Sequence, residues 1–478
     1  MPLSPELEDF RREGHRLIDW IARYLANPEP FPVVPRVRPG ELRVALPARA
    51  PAQPEPLAET LADFERQILP AVTHWNHPGF FAYFANSSTP PAILGELLTA
   101  ALNVNGMLWK TGPAATELEV VVLDWLRQAI GLPPGLFGVI QDTASSATLV
   151  ALAAAREAVP GLDARRRGMV GQARLRMYAS EHAHSSVEKA GIVLGIGQEG
   201  LRKIPVDGSF RMDVAALRNA VAEDRAAGFT PFAVTATVGT TSTTSVDPVP
   251  AIAEVAQAAG LWLHVDAAYA GCAAIVPELR HVLDGGDRAD SLVMNPHKWL
   301  LVPLDLSVLY TRRPEVVRAA FSLVPDYLRT PEEAIAPNLM DYGVSLGRRF
   351  RALKLWLVMR TYGTEGLAAR IREHVRLAQL FRSWVEADGD WEVVAPSPLS
   401  VVCFRARFVA DPEERDRRNE RIMEAVNASG DAYLSHTRLS DRIVLRLAIG
   451  NVGTAERHVA RAWELLREAA AIERRREK

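Results

Sequence analysis

Two charged side chains follow short apolar runs between Leu261 and Val302, and their spacing constrains the fold more than any other feature of the chain. Asp266 comes directly after the mostly apolar run 261–265, and Lys298 follows soon after the apolar run 292–294. Runs of this kind are typical of strands buried on both faces of a parallel sheet. Because the carboxyl ends of parallel strands share one edge of a sheet, we expect Asp266 and Lys298 to lie close together.

An acid and a lysine at neighbouring strand ends are the layout of a pyridoxal 5'-phosphate site. This cofactor needs a lysine amine to hold its aldehyde as a Schiff base, and a carboxylate to keep its pyridine nitrogen protonated. Burial makes the amine nucleophilic, because loss of hydration lowers its pKa. Taken singly, Asp266 has the ordinary explanation of a helix cap, and Lys298 that of a surface lysine beside an aromatic residue. The pair together predicts the cofactor.

Strand-like and helix-like runs alternate along most of the chain. The strand-like runs are 138–140, 176–179, 201–206, 232–238, 261–265, 291–294 and 306–310, and helix-like runs include 214–227 and 250–259. Such alternation predicts an α/β fold with a mostly parallel sheet covered by helices. Ligands bind such sheets at the carboxyl ends of the strands.

A phosphate site is predicted where the first of these strands meets a helix. Thr143, Ala144 and Ser145 follow the run 138–140 and precede an Ala/Leu-rich helical run that ends near Ala158. Free backbone N–H groups, hydroxyls and the positive end of the helix dipole all favour a phosphate there. Plain N-capping is the alternative explanation, but Asp266 and Lys298 in the same chain favour the phosphate.

The strings HVDAAYAG and NPHKWL resemble the group II pyridoxal-phosphate decarboxylases, and most closely the aromatic-L-amino-acid decarboxylases. The resemblance runs from about Leu7 to about Leu466. It implies a fold type I transferase-like architecture with a seven-stranded sheet. It also implies decarboxylation of tryptophan, tyrosine, phenylalanine or dihydroxyphenylalanine to the arylalkylamine and CO2.

The same resemblance implies roles for further residues. His184, in HAHSSVEK, matches a histidine that stacks on the cofactor ring, and Thr241, in GTTSTTS, matches a threonine near that ring. Tyr327, in VPDYLRT, matches a loop tyrosine that returns a proton to Cα with the help of His184. The implied catalytic residues are Lys298, Tyr327, His184 and Asp266. The implied cofactor-binding residues are Thr143, Ala144, Ser145, His184, Thr241, Asp266, Ala268, Asn295, His297 and Lys298.

Six residues are predicted to contact the substrate. Trp75, Tyr83 and Phe84 lie in an aromatic-rich string for which composition alone favours a core, but which matches the substrate wall of the family. Asn105 and Met107 replace an apolar branched residue and an aromatic residue found in animal relatives, at positions that reach the neighbouring subunit's site. Gly347 corresponds to a position that faces the substrate ring from the other subunit, and it leaves room for indole. The predicted set is Trp75, Tyr83, Phe84, Asn105, Met107 and Gly347.

Three alternatives remain open at this point. The first is an aromatic aldehyde synthase, although Tyr327 favours simple decarboxylation because plant aldehyde synthases carry phenylalanine there. The second is a decarboxylase of histidine or another non-aromatic amino acid, which the polar Asn105 allows. The third is a non-catalytic scaffold, which the presence of both Lys298 and Asp266 disfavours.

The chain is predicted to have three parts. Residues 1–86 combine an amphipathic helix near 4–26, a proline-rich extended segment and a second helix near 57–69. Because such a segment cannot bury its apolar stripe alone, and because the family forms homodimers, we expect a homodimer with shared active sites. Residues 87–363 form the large cofactor-binding domain, with a helix from Ser345 to about Tyr362, and residues 364–478 form a smaller α/β domain. Residues 321–338 are predicted to be a mobile active-site loop.

Composition excludes several other classes of protein. The formal net charge of the 478-residue chain is −2, which gives no case for binding nucleic acid or an anionic membrane. No apolar run reaches the roughly 18 residues of a spanning helix, and the acidic amino terminus does not resemble a signal peptide. Two cysteines provide neither a disulfide framework nor metal-ligand spacing. We therefore expect a cytoplasmic enzyme without a metal, whose partner is a small amino-acid substrate.

Overall fold

The computed structural model describes residues 3–323 and 331–475. The chain divides into two compact units. The larger contains Asn86–Asp388 and Val393–Phe404, and the smaller contains Met1–Ala85, Gly389–Glu392 and Arg405–Lys478. The three-part division that we inferred from the sequence remains a prediction.

The strands and helices have the following bounds. The strands are β1 Phe137–Gln141, β2 Leu175–Ser180, β3 Leu201–Ile204, β4 Thr230–Thr237, β5 Trp262–Asp266, β6 Ser291–Met294, β7 Ser307–Thr311, β8 Trp391–Val393, β9 Val401–Ala406, β10 Ser435–Leu439 and β11 Arg442–Ala448. The helices are α1 Pro5–Ala26, α2 Glu41–Ala45, α3 Leu57–Asp63, α4 Pro90–Leu102, α5 Pro113–Ala129, α6 Ala144–Glu157, α7 Ala164–Arg167, α8 Ser185–Val193, α9 Val214–Ala226, α10 Val249–Ala259, α11 Pro296–Trp299, α12 Pro314–Phe321, α13 Ala352–Ala387, α14 Pro412–Ser429 and α15 Glu456–Arg475.

Seven strands of the described chain form one sheet in the order β1-β7-β6-β5-β4-β2-β3. The pairs β2–β3, β2–β4, β4–β5 and β5–β6 are parallel, and β7 is antiparallel to both β1 and β6. The predicted mostly parallel sheet is therefore confirmed. A second sheet has the order β10-β11-β9-β8.

The centre of the large sheet is buried on both faces, as the apolar runs predict. Every residue of β5 and β6 is buried. Helix α6 packs against the sheet through small side chains, and Ala147, Ala151 and Ala154 are fully buried. Alanine permits a close approach of helix and strand, so the amino terminus of α6 is held firmly at the strand-end edge.

Two helix boundaries differ from the prediction. The helix expected from Ser345 begins at Ala352, because the backbone of Arg348 instead bonds to the 105–106 segment: its N–H donates to Asn105 Oδ1 at 3.0 Å, and its carbonyl accepts from Gly106 N at 2.9 Å. The helix expected over 57–69 is α-helical only to Asp63 and continues as a π-helical turn over Phe64–Ile68.

Helix α13 continues through the predicted domain boundary at residue 363. Gly363 breaks its helical geometry locally with φ 63° and ψ 171°. A positive φ suits glycine, which has no Cβ to clash. Among residues 3–323 and 331–475, no helix is both long and apolar enough to cross a membrane.

Candidate active site

The ends of β4, β5 and β6 bring the two key residues to one edge of the large sheet. Thr237 at the end of β4 pairs in register with Asp266 at the end of β5, which in turn pairs with Val293 of β6. Strand β6 ends at Met294, and the short helix α11 that follows carries Lys298. Lys298 is close enough to Asp266 for the carboxylate to act on the pKa of the amine. The structure thus brings together the acid and the lysine that the sequence singled out.

Asp266 is a buried carboxylate that accepts few hydrogen bonds from the described part of the chain. Its side chain is only 4% exposed. Its Oδ1 accepts a hydrogen bond from Ala268 N at 3.1 Å, and no second hydrogen-bond donor to it occurs in the described part of the chain. A buried anion normally needs a cationic or strongly donating partner. The site therefore suits a ligand that brings a positive N–H group.

Lys298 is held on a rigid backbone. Its neighbours His297 and Trp299 are buried; Leu306 N donates to His297 Nδ1 at 3.0 Å, and Trp299 stacks on Tyr269 with ring centroids 4.6 Å apart. Burial lowers the pKa of Lys298, while Asp266 and Cys272 act in the opposite direction. A lowered pKa leaves more of the amine neutral and nucleophilic near neutral pH.

His184 is positioned as the N-cap of α8. Its Nδ1 accepts from Ser186 N at 3.2 Å and lies 2.9 Å from Ser186 Oγ. Its side chain is solvent-accessible, yet loss of hydration lowers its pKa, opposed by the charge of Asp266 and reinforced by that of Lys298. The three predicted groups therefore share one electrostatic environment.

The predicted phosphate-binding site lies at the start of α6. Thr143 is the N-cap residue in an extended conformation, and its side chain makes no capping hydrogen bond to the helix. Its Oγ1 lies 3.4 Å from Ser146 Oγ, and its N–H donates to Asp142 Oδ1 at 2.6 Å. The backbone N–H groups of the first helical turn, which include those of Ala144 and Ser145, have no helical acceptors and can receive an anion.

The remaining predicted cofactor residues lie on the same unit. Asn295 N donates to the carbonyl of Ala268 at 3.1 Å, and Asn295 Oδ1 accepts from Ser307 Oγ at 2.6 Å. Thr241 is exposed at a turn. Buried hydroxyls brace that turn, since Thr243 Oγ1 lies 2.9 Å from Thr240 Oγ1 and 2.7 Å from Ser245 Oγ.

Sequence reasoning missed two hydroxyls and a histidine in this region. Ser180 is the last residue of β2, and Thr237 is the last residue of β4. The hydroxyl oxygen of each is buried without a hydrogen-bond partner in the described part of the chain. His264 is fully buried two residues before Asp266. Their position at or near strand ends was the available signal, but serine and threonine are too common for it to stand out.

These features fit pyridoxal phosphate. The buried carboxylate of Asp266 suits a protonated ring nitrogen, and the amine of Lys298 suits an aldehyde. The backbone N–H groups at the start of α6, which have no acceptor within the helix, suit a phosphate. The hydroxyls of Ser180 and Thr237, which have no partner in the described part of the chain, can form hydrogen bonds with a ligand.

Three of the predicted substrate residues belong to the smaller unit. Trp75 and Tyr83 are 37% and 50% exposed, whereas Phe84 is 7% exposed. Trp75 stacks on Phe80 at 4.3 Å and on Tyr83 at 6.0 Å between ring centroids. Their rings are therefore available on the surface of this unit, apart from that of Phe84.

The other three lie together in the larger unit. Arg348 N donates to Asn105 Oδ1, and Asn105 Nδ2 lies 3.6 Å from Met107 Sδ. A Cβ placed on Gly347 would lie 3.9 Å from Asn105 Nδ2. Tyr327, the predicted proton donor, lies outside the described residues, as does most of the first half of the predicted loop.

Comparisons with known proteins agree with this geometry. Residues 39–407 match the family described as the pyridoxal-dependent decarboxylase conserved domain. The chain is 43% identical to phenylacetaldehyde synthase of Arabidopsis thaliana, over 97% of this chain and 96% of that protein. It is also 43% identical to the aromatic-L-amino-acid decarboxylase of Bos taurus, with the same coverage.

Solved structures give the same result. The structure of Oryza sativa TDC with PLP and tryptamine matches with a TM-score of 0.94 at 41% identity, and the match covers 99% of each chain. The structure of Catharanthus roseus tryptophan decarboxylase in complex with L-tryptophan matches with a TM-score of 0.91 at 39% identity, over 98% of this chain and 99% of that chain.

Proposed function

The chain belongs to the pyridoxal-dependent decarboxylase family, and from this premise we propose that it converts an aromatic L-amino acid to the arylalkylamine and CO2. The observation that carries the proposal is the buried carboxylate of Asp266 beside the amine of Lys298. That pair can hold the cofactor and keep its ring nitrogen protonated.

Each residue of the site has a different proposed role in the reaction. When bound, pyridoxal phosphate supplies an electron sink for the pair released as CO2 departs. Lys298 would hold the cofactor through Nζ until the substrate amine takes its place. Asp266 holds a proton on the ring nitrogen, and the start of α6 binds the phosphate. Orientation of the carboxylate bond by these contacts supplies much of the rate enhancement.

Tyr327 is proposed to return the proton to Cα, with His184 as its helper. A positioned acid of this kind contributes roughly 10²–10⁴-fold. His184 suits the task because its Nδ1 accepts from Ser186 N, which fixes the ring orientation. Rapid protonation gives amine, whereas slow protonation leaves time for oxygen to intercept the carbanion and give aldehyde.

Asn105 favours a substrate whose ring bears a hydrogen-bond acceptor. The N–H of Arg348 donates to Asn105 Oδ1 and so orients the amide; one N–H of Asn105 Nδ2 points toward Met107 Sδ, and the second is available to a ligand. A phenolic oxygen or an imidazole nitrogen can accept from it, but an indole N–H cannot. Tyrosine and dihydroxyphenylalanine are therefore the leading substrates, with histidine as the second candidate, while Gly347 leaves room for tryptophan.

A panel of substrates tests the proposal. The purified holoenzyme, incubated in air with tryptophan, tyrosine, phenylalanine, dihydroxyphenylalanine and histidine, is expected to release amine with little peroxide when products are read by mass spectrometry. The matched variant Asn105→Leu should reduce the preference for tyrosine over phenylalanine by about tenfold, since one hydrogen bond to a polar ring is lost.

Three outcomes would contradict parts of the proposal. Aldehyde, ammonia and peroxide in equal amounts, formed at the expense of oxygen, would make the protein an aldehyde synthase and remove the assigned role of Tyr327. An unchanged tyrosine preference in Asn105→Leu would remove Asn105 from the substrate site. Turnover of no aromatic amino acid would reject the aromatic substrate class itself.

A homodimer is proposed as the working form. Helix α4 exposes Leu94, Leu97, Leu98 and Leu102, each between 47% and 58% exposed, at spacings that place them on one face. Helix α1 likewise exposes Leu7, Phe10, Leu17 and Ile18. Exposed apolar stripes of this kind mark interaction surfaces. Asn105 follows the α4 stripe by three residues, so a second copy seated there would border the proposed substrate residues.

Sedimentation equilibrium tests the dimer. The native protein should have twice the chain mass of 52.5 kDa. Leu98→Glu should shift it toward monomer, because a charge within an apolar interface is costly to desolvate. Val170→Glu, at a valine that is 96% exposed and outside α4, is the matched control and should remain dimeric. A monomeric native protein, or an unaffected Leu98→Glu, would reject this interface. We also propose a cytoplasmic location, in keeping with two buried cysteine thiols that form no disulfide within the described part of the chain.

A further inference from the structure

A chain of buried polar side chains connects three elements of the larger unit next to Asp266. Trp262 Nε1 donates to Ser291 Oγ at 2.8 Å, and Ser291 Oγ lies 2.9 Å from His264 Nδ1. On its other side, His264 Nε2 lies 3.4 Å from Thr148 Oγ1. This polar chain links the start of β6, the middle of β5 and the first turns of α6. His264 is therefore joined to β6, which pairs with the strand of Asp266, and to α6, whose start is the proposed phosphate site.

The donor directions in this polar chain accommodate a neutral His264. An indole N–H can only donate, so Ser291 Oγ accepts from Trp262. The hydroxyl proton of Ser291 can then point at His264 Nδ1, which accepts it in the tautomer that carries its proton on Nε2. In that tautomer the ring N–H is directed at Thr148. Burial agrees with a neutral ring, because it lowers the pKa of His264 to about 4 despite the opposing charge of Asp266.

A neutral His264 adds no countercharge for Asp266 beyond the amine of Lys298, on whose pKa the carboxylate acts. Residues 262, 264 and 266 point to the same face of β5, since side chains alternate along a strand. His264, two residues before Asp266 on that face, thus supports the strand through its hydrogen bonds without supplying a countercharge. An ionised imidazole there would compete with a ligand cation for the same carboxylate.

We propose that His264 is a positioning residue for the cofactor. As a neutral bridge between β6, β5 and α6, it fixes the Asp266 carboxylate relative to the phosphate-binding start of α6. Because the bridge carries no charge, the charge of Asp266 stays available to the ring nitrogen. The proposal depends on the cofactor and is independent of which amino acid is decarboxylated, so the substrate panel and this test can fail separately.

The test uses holoenzyme reconstituted with pyridoxal phosphate that carries ¹⁵N in the ring. His264→Leu removes both ring contacts, whereas His264→Asn keeps a neutral acceptor near the position of Nδ1. The cofactor dissociation constant is measured by absorbance titration, and the protonation of the ring nitrogen by its ¹⁵N chemical shift. His458→Leu is the matched control: this histidine is also buried, its Nδ1 accepts from Ala455 N at 2.9 Å, and it belongs to the smaller unit.

We expect His264→Leu to weaken cofactor binding by about tenfold or more, as when a buried hydrogen-bond network loses one member. Its ¹⁵N signal should move toward that of neutral pyridine, and His264→Asn should restore the native signal. His458→Leu should change neither reading. A native ¹⁵N signal in His264→Leu, with or without weaker binding, would overturn the proposal and leave His264 a purely structural role. If His264→Leu does not fold, a folded His264→Asn with a neutral ring nitrogen would also overturn it.

Discussion

Replacing Lys298 with alanine is expected to abolish turnover and covalent retention of the cofactor. The amine is the group proposed to attach pyridoxal phosphate, and burial already lowers its pKa, so it is prepared to react near neutral pH. Loss of the amine that attaches the cofactor should lower kcat/KM by on the order of 10⁴-fold or more. Borohydride reduction followed by peptide mass spectrometry would find the cofactor on the peptide containing Lys298 in the native protein and on no peptide in the variant.

A second lysine provides the control for this experiment. Lys189 is exposed on α8, and its charge acts on His184, so it lies near the site without belonging to the proposed machinery. Lys189→Ala should retain both the covalent cofactor and the activity. Cofactor trapped on Lys189, or on any lysine other than Lys298, would show that the attachment site was wrongly assigned.

Replacing Asp266 with asparagine should remove most activity while preserving the fold. The amide keeps an oxygen for Ala268 N but loses the charge that holds the ring nitrogen protonated. Breaking a buried charge pair by removing one partner costs about 3–5 kcal/mol, so we expect kcat to fall by roughly 10²–10³-fold. The cofactor dissociation constant should rise as well, because binding and ring protonation depend on the same contact.

The variant Asp266→Glu separates charge from shape. It keeps the negative charge on a longer side chain, so it should recover part of the activity that asparagine loses. Equal activity in Asp266→Asn and the native protein, measured at saturating cofactor, would remove the carboxylate from the mechanism. Thermal unfolding of the cofactor-free proteins would reveal any loss of stability that affects all variants alike.

The amino-acid sequence determined the large sheet with considerable accuracy. The run 291–294 was predicted as a strand and is β6 without adjustment, and the runs that became β5 and β7 were shifted by one residue. These strands are short and apolar on both faces, so their pattern depends on local composition alone. The pairing of Asp266 with Lys298 also followed from sequence, since each comes after such a strand.

The pairing of the strands across the sheet could not be predicted from the sequence. The strand order and the antiparallel direction of β7 depend on contacts between residues far apart in the chain. For the same reason, His264 was overlooked, because its partners Ser291 and Thr148 come from β6 and α6. The start of α13 was misplaced because Arg348 bonds to a segment more than two hundred residues earlier, which no local pattern reports.

The sequence by itself therefore determined the fold class and the cofactor, and it singled out Asp266 and Lys298, because buried strands and the residues at their ends have strong local signatures. Only the tertiary structure decided that Asp266 accepts one hydrogen bond beside the amine of Lys298, that His264 connects β6 with α6, and that Arg348 orients the Asn105 amide. Those properties arise from hydrogen-bond directions between distant segments. Such directions exist only once the chain has folded and each buried polar group has found its partner.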